Sequence, residues 1–346
     1  MLNNNIKKAR VLIVDDSGTM RGLIRMVLEQ DHRIEVIGEA SSAQEARDLV
    51  KRKAPDVMTL DVEMPGINGL EFLRRLMRAR PMPVVMFSSI TSAGSAAAVE
   101  ALSLGAIECV LKPGVGGSKS TLRTLPETVW AASKARVATT SNLHAHKNEL
   151  GLSRWNGKMV LIGASTGGVE ALEHVLSQMP HNCPPIFITQ HMPEQFLAKF
   201  SERLNRRCKP AVRLARDGDE PSVGQVLIAP GGKTHLTLGS GSAFKTQIME
   251  GPRKSGHRPS VDKMLLSAIE HAPRTVAVML TGMGYDGAEG MAALRGAGAV
   301  CLAQDRESSV VFGMPKAAYE KGGVDRLLPL QKIPSAILKA CTRAEG

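Results

Sequence analysis

The stretch Lys158-Met-Val-Leu-Ile-Gly-Ala-Ser-Thr-Gly-Gly168 decides how the chain is read. Lys158 to Ile162 reads as a short buried strand, and Val169 to Gln178 as the helix that follows. Between them, Gly163-Ala164-Ser165-Thr166-Gly167-Gly168 sets a serine among glycines on a sharp strand-to-helix turn, the pattern of a nucleophile elbow. Such a turn lifts the serine hydroxyl above the sheet edge. The helix N-terminus then directs unpaired N–H groups at the same spot, where an oxyanion can be held. A glycine-rich turn that binds phosphate is the plain alternative.

Downstream of this turn, strands are expected at Lys158–Gly163, Pro185–Gln190, Gln225–Ala229, Thr275–Leu280 and Ala299–Ala303, with a hairpin around His235–Leu238 and Phe244–Met249. Helices are expected at Val169–Gln178, Glu194–Arg206, Val261–Ala272, Gly287–Gly296 and Lys332–Cys341, and Ser260 fits the N-cap of the third. In doubly wound sheets, functional groups gather beyond the carboxyl ends of the strands. Ser165 follows the first strand, Gln190-His191-Met192-Pro193 the second, and Thr281-Gly-Met-Gly-Tyr-Asp-Gly287 the fourth. The chemistry assigns roles: Ser165 attacks, His191 takes its proton, and Asp286 orients the imidazole and stabilises its cation. Backbone N–H groups of Thr166 and Met283 are the candidate oxyanion donors. The order Ser, His, Asp differs from the Ser, Asp, His of α/β-hydrolases.

Upstream, the same alternation begins at Arg10. Arg10-Val-Leu-Ile-Val-Asp-Asp16, Ile34–Glu39, Pro55–Asp61, Pro83–Ser89 and Glu108–Pro113 read as five strands, with helices at Gly18–Gln30 and Ala43–Arg52. The crevice rule gathers Asp15, Asp16, Asp61, Ser88 and Lys112. Crowded carboxylates need a cation, and hard oxygen ligands suit Mg²⁺. Lys112 and Ser88 can meet a phosphoryl group, so one carboxylate can be its acceptor.

Between the halves the periodicity breaks. Gly114-Val-Gly-Gly-Ser-Lys-Ser120 is flexible by composition, a helix is expected around Leu125–Arg136, and Ala138–Asn156 is polar. His144 and His146 read as exposed linker histidines rather than metal ligands. The expected division is therefore 1–125, a linker over 126–157, and 158–346.

Composition narrows the class. The chain has 346 residues, 43% of them hydrophobic, enough for two cores. The opening Met1-Leu-Asn-Asn-Asn-Ile-Lys-Lys lacks the apolar core of a signal peptide, and no run of 18 apolar residues predicts a membrane span. Five scattered cysteines without a Cys-x-x-Cys point to reduced thiols in the cytoplasm. A net charge of +11 invites a nucleic-acid reading, but aromatics are only 3% and the basic residues are dispersed, so no nucleic-acid partner is expected.

Residues 10 to about 125 resemble a two-component receiver domain of the flavodoxin-like (βα)5 kind. The resemblance rests on Val14-Asp15-Asp16-Ser17, Leu60-Asp61-Val62-Glu63-Met64-Pro65-Gly66, Ser88-Ser89 and Lys112-Pro113. It implies Asp61 as phospho-acceptor, with Mg²⁺ on Asp16, Asp61 and the Glu63 backbone carbonyl and Asp15 nearby. The position three before Lys112, often aromatic in receivers, is Cys109. The second half resembles the chemotaxis protein-glutamate methylesterase (CheB) family. That resemblance rests on the Ser165, His191 and Asp286 segments together with Ala229-Pro230-Gly231-Gly232 and Arg258-Pro259-Ser260-Val261-Asp262. It implies a doubly wound, mostly parallel α/β domain without a cofactor. The implied reactions are hydrolysis of glutamate γ-methyl esters on chemoreceptors, the methyl-accepting chemotaxis proteins, and deamidation of certain receptor glutamines. A chemotaxis histidine kinase is the implied phosphodonor, and the unphosphorylated receiver is expected to cover the cleft. Two alternatives stay open: the same chemistry in another signalling array, and a receiver with a non-catalytic binding output.

Overall fold

The computed structural model describes residues 7–89, 91–112, 120–135 and 154–343. Pro113, the glycine-rich run 114–119, His144 and His146 lie outside them. The chain divides into two compact units, Met1–Asn142 and Leu143–Gly346.

Among the described residues the first unit holds five strands: β1 (Ala9–Val14), β2 (Ile34–Ala40), β3 (Val57–Asp61), β4 (Val84–Ser88) and β5 (Glu108–Leu111). They form one parallel sheet in the order β2-β1-β3-β4-β5. β3 and β4 are buried along their whole length, as expected of parallel strands covered on both faces. Helices Gly18–Leu28 and Ala43–Lys53 follow the first two strands, capped by the hydroxyls of Ser17 and Ser42. Chain order reverses between β1 and β3, so the crevice of this sheet opens where Asp15, Asp16 and Asp61 stand.

Helix Leu125–Ser133 lies against this sheet, with Leu125, Val129 and Ala132 fully buried. Arg33 pairs with Glu127 at 2.6 Å and its guanidinium stands over the Trp130 ring. The linker expected from residue 126 therefore has its first part packed into the first unit. Its last part is also packed: Asn156 bonds Ala340, Cys341 and Thr342 carbonyls, and Trp155 bridges Thr342 in the second unit. Buried apolar residues on one face anchor the first of these segments, and the hydrogen bonds of Asn156 anchor the last.

The second unit holds β6 (Met159–Ala164), β7 (Ile186–Gln190), β8 (Ala211–Leu214), β9 (Gln225–Ile228), β10 (Thr234–Leu238), β11 (Thr246–Glu250), β12 (Thr275–Met279), β13 (Val300–Gln304) and β14 (Arg326–Leu328). Seven of them form a parallel sheet, β14-β13-β12-β6-β7-β9-β8, while β10 and β11 make the antiparallel hairpin. The helix expected over Val261–Ala272 is two pieces, an α-helix Val261–Ser267 and a 3₁₀ segment Ile269–Arg274 that contains Pro273. Proline has no N–H to give an α-helical ladder, and the tighter turn tolerates that. The chain runs from β6 toward β7 on one side and returns to β12 on the other. The switch point lies between β6 and β12, beside the Ser165 turn. The five cysteines are free thiols, and burial raises those of Cys183, Cys208, Cys301 and Cys341 to about 12. Among the described residues no helix is long and apolar enough to cross a membrane.

Candidate active site and receiver site

Ser165 is the first residue after β6, and His191 the first after β7. Ala164 and Gln190 are partners in the β6–β7 register, and His191 N–H donates to the Ala164 carbonyl at 3.1 Å. Two adjacent strands thus deliver both residues to one edge. Helix Gly168–Ser177 follows the serine at once, with Gly167 at φ +76° as its N-cap. A side chain at Gly167 would strain that angle and strike Val310. The Ser165 backbone is fixed on both sides: its N–H donates to the Thr281 carbonyl at 3.1 Å, and its carbonyl accepts from Gly168 N–H and from Gln190 Nε2. Ser165 itself is 7% exposed.

The third segment comes from the far side of β6. Gly282, just past β12, packs so closely that an added Cβ would lie 2.8 Å from the Ser165 Cβ. The Gly282 carbonyl accepts from Gly313 and Met314 N–H groups, which pins the loop carrying Met283. Thr281 Oγ1 donates to the Thr166 carbonyl at 3.0 Å. The two segments expected to supply oxyanion donors therefore meet at the serine, Thr166 in its own turn after β6 and Met283 in the loop after the neighbouring strand β12.

Asp286 is 1% exposed and collects four donors: His191 Nε2 at 2.8 Å, Ser260 Oγ at 2.8 Å, Val261 N–H at 2.7 Å and Asp262 N–H at 3.2 Å. Two of these are the free N–H groups that open helix Val261–Ser267, so the helix N-terminus holds the carboxylate. Burial alone would raise the Asp286 pKa; the hydrogen bond and charge of His191, with the Val261 and Ser260 donors, outweigh it and leave the pKa lowered. Asp262 repays the arrangement by accepting from Gly290 N–H at 2.9 Å, in the helix Ala288–Gly296 that Asp286 precedes. Asp286 thus caps the helix that carries Asp262, and Asp262 the helix that follows Asp286.

An ionised carboxylate only accepts hydrogen bonds, so Nε2 of His191 carries the proton and Nδ1 is its basic nitrogen. Nδ1 is buried and has no hydrogen-bond partner among the described residues. This polarity is the reverse of the serine-protease arrangement, where Nδ1 faces the aspartate. Behind the cluster, His235 accepts from Ser260 N–H through Nδ1 and donates to the Pro252 carbonyl through Nε2. Burial lowers its pKa and favours that neutral tautomer. His257 stacks flat on His191, with ring centroids 3.7 Å apart and planes 2° apart. Ser260 was legible as a cap, but its bond to Asp286 was not. His257 carried no sequence signal, because only the folded chain brings it over His191.

In the first unit, the expected cluster forms as well. One carboxylate oxygen from each of Asp15, Asp16 and Asp61 lies within 4.8 Å of the others. Lys112 Nζ stands 2.7 Å from Asp61 Oδ2 and 3.3 Å from Asp15 Oδ2. Both oxygens are buried, and among the described residues Lys112 is the cation that pairs with them. Burial raises the Asp61 pKa despite the opposing pull of Lys112 and the Glu63 N–H, which bonds Oδ1 at 3.0 Å. Three carboxylates gathered this closely, with one cationic side chain beside them, are the kind of oxygen ligand set that suits a hard divalent cation such as Mg²⁺. Ser88 closes the site at the end of β4, its hydroxyl turned to the Gly94 carbonyl at 2.8 Å. Glu63 is exposed and accepts from Ser89 through its side chain. Cys109 is buried in β5, and burial holds its thiol well above the ordinary range.

Comparison with known proteins identifies both units by family. Residues 160–337 match the CheB methylesterase family and residues 11–119 the response regulator receiver domain. The chain is 48% identical to a protein-glutamate methylesterase/protein-glutamine glutaminase of Agrobacterium fabrum, over 98% of each chain. It is 44% identical to the protein of the same name from Salmonella typhimurium, over 96% of this chain and 97% of that one. The solved CheB methylesterase catalytic domain of Thermotoga maritima is 38% identical and matches with a TM-score of 0.50, covering 53% of this chain and 98% of its own. With a methylesterase match across the second unit, a receiver match across the first and full-length relatives at this identity, the chain belongs to the CheB methylesterase family.

Proposed function

We propose that the second unit hydrolyses glutamate γ-methyl esters on the cytoplasmic segments of chemoreceptors, and that the first unit controls it by phosphorylation. The observation that carries the reading is the His191 imidazole. One nitrogen is bound to a buried carboxylate, and the other is buried without a hydrogen-bond partner among the described residues, at the strand end next to that of Ser165.

In the first half-reaction, Ser165 Oγ attacks the ester carbonyl and its proton passes to His191 Nδ1. Asp286 stabilises the imidazolium, and the N–H groups of Thr166 and Met283 hold the oxyanion. The ester C–O bond breaks, and the imidazolium proton leaves with the alkoxide as methanol. Water then gives a proton to Nδ1 and attacks the acyl-serine. Ser165 departs with that proton and free glutamate remains. A receptor glutamine follows the same course with ammonia as the leaving group.

In the first unit, an Asp61 carboxylate oxygen takes the phosphoryl group from a chemotaxis histidine kinase. The P–N bond of the phosphohistidine breaks as the acyl phosphate forms. Asp15, Asp16, Asp61 and the Glu63 carbonyl would hold Mg²⁺, which supplies charge neutralisation for the phosphoryl oxygens. Lys112 adds a fixed positive charge, and Ser88 can rotate from Gly94 toward the new group. The receiver extends to the helix ending at Ser133 and the esterase begins at Arg154, with a linker between them. The unphosphorylated receiver holds the esterase back, and phosphorylation shifts the population toward the open form. The reaction belongs in the cytoplasm, where the kinase and the receptor segments are.

The test is methanol release from methylated chemoreceptors by the parent chain and by Ser165→Ala. Loss of the covalent route should cost about four orders of magnitude or more in rate, as removal of a triad member does elsewhere. A variant within about tenfold of the parent would remove Ser165 from the mechanism.

A further inference from the structure

We propose that His257 is a positioning residue for the ester reaction: its ring lies flat on His191 and holds that base in the plane that serves both Asp286 and Ser165. The inference rests on His191 being the general base.

The Nε2 bond to Asp286 fixes one direction of the His191 ring, but it leaves the ring free to tilt about that line. Nδ1 is the atom that such tilting would misplace, and no described residue holds it. The parallel contact with His257 removes the tilt.

The backbone around His257 is built to present that ring. Lys254 and His257 exchange backbone hydrogen bonds at 3.1 and 2.9 Å across Ser255 and Gly256, whose φ angles are +53° and +82°. Two successive left-handed residues make the tight turn with the least freedom. Gly256 tolerates its angle, whereas Ser255 adopts it at a cost, which marks a position fixed by its surroundings. Arg253 bonds the Gly256 carbonyl, and Arg258 bonds the carbonyls of Gly232 and Gly251. The segment is therefore pinned on both sides of His257.

The stack also distinguishes the charge states of His191. Two neutral aromatic rings prefer an offset or edge arrangement to close superposition. A cation over the face of a neutral ring is favoured. The contact thus improves as His191 takes the serine proton, which is stabilisation of the developing charge rather than of the resting site. For this His257 must stay neutral. Burial, and then the nearby His191 charge, press its pKa down to about 4. The charged groups that face it are His191, Asp286, which favours protonation, and Arg253, which opposes it.

The experiment compares the full chain with His257→Ala, His257→Phe and His257→Arg. Tritiated methanol release from methylated receptor membranes is followed from pH 5 to 9. The Ala variant should lose about tenfold in kcat with KM within about twofold, the scale of one stacked contact, and Phe should return to within about threefold of the parent. In the Arg variant a fixed cation opposes protonation of His191. Its acidic limb of kcat/KM should lie about one pH unit below that of the Phe variant. An Ala variant within twofold of the parent, a Phe variant no better than Ala, or equal acidic limbs for Arg and Phe would each overturn the proposal. Should melting show that the Ala variant does not fold, the Phe and Arg limbs decide alone. Ser165→Ala is run alongside: activity at the parent level there would remove the esterase assignment itself, and with it this role.

Discussion

Ser260→Ala is the perturbation that most directly probes how Asp286, the carboxylate of the proposed triad, is held. Ser260 is fully buried, and its hydroxyl works in two directions. As an acceptor it caps helix Val261–Ser267 by taking Lys263 N–H at 3.3 Å; as a donor it binds Asp286 Oδ1 at 2.8 Å. Loss of the cap costs about 1 kcal/mol. Loss of a hydrogen bond to a charged group costs roughly 1.5–3 kcal/mol more. The sum, about 2.5–4 kcal/mol, should lower the melting temperature of the second unit by roughly 5–15 °C, at about 2–4 °C per kcal/mol for a domain of this size. Catalysis should suffer in kcat rather than KM, because Ser260 lies beneath the site and touches no substrate. Asp286 keeps three of its donors. The loss should therefore be about 10–100-fold, well short of the roughly 10⁴-fold expected when the aspartate itself is changed. The assay combines thermal melting of the full chain with methanol release, repeated in an Asp286→Asn background. There the effect of Ser260→Ala should shrink, since the two residues share one interaction. A melting shift under about 1 °C with kcat within twofold, or strictly additive effects in the double variant, would refute the reasoning.

Two further outcomes follow from the receiver and its connection. Asp61→Asn should abolish labelling by a phosphodonor and leave a low basal esterase activity, because an amide forms no acyl phosphate; stoichiometric labelling of that variant, measured by mass spectrometry, would place the acceptor on another carboxylate. A fragment beginning near Asn156 should exceed the unphosphorylated full chain in kcat/KM on the same receptor, because under the proposed control a closed fraction of the full chain does not act. A folded fragment that is no faster would mean the receiver does not act by occlusion.

Much of the fold was legible because parallel strands buried on both faces leave unbroken apolar runs, as in Met159–Ala164 and Ile186–Gln190. The strands that escaped notice, Ala211–Leu214 and Arg326–Leu328, sit at the two edges of the large sheet. Each keeps exposed positions that break up its apolar pattern. The candidate site residues that could be read were those at or immediately past strand ends, Ser165, His191 and Asp61, since topology alone brings such positions together. Those that could not be read depend on contacts between segments distant in sequence. Ser260 reaches Asp286 across 26 residues, and His257 reaches His191 only through the turn at Ser255–Gly256. The sequence leaves the helix around Leu125–Arg136 in the linker because the strand–helix periodicity breaks on both sides of it. Its burial of Leu125 and Val129 on the first sheet is a tertiary fact.

The central claim is that Ser165 is a nucleophile activated by His191. The measurement that meets it most directly is labelling of the full chain with a serine-reactive phosphonate, followed by peptide mapping. One phosphonyl group should appear on Ser165, and labelling should slow by at least about 100-fold in His191→Ala, since the hydroxyl then has no base to take its proton. Labelling on a different residue, or at an unchanged rate without His191, would contradict the account.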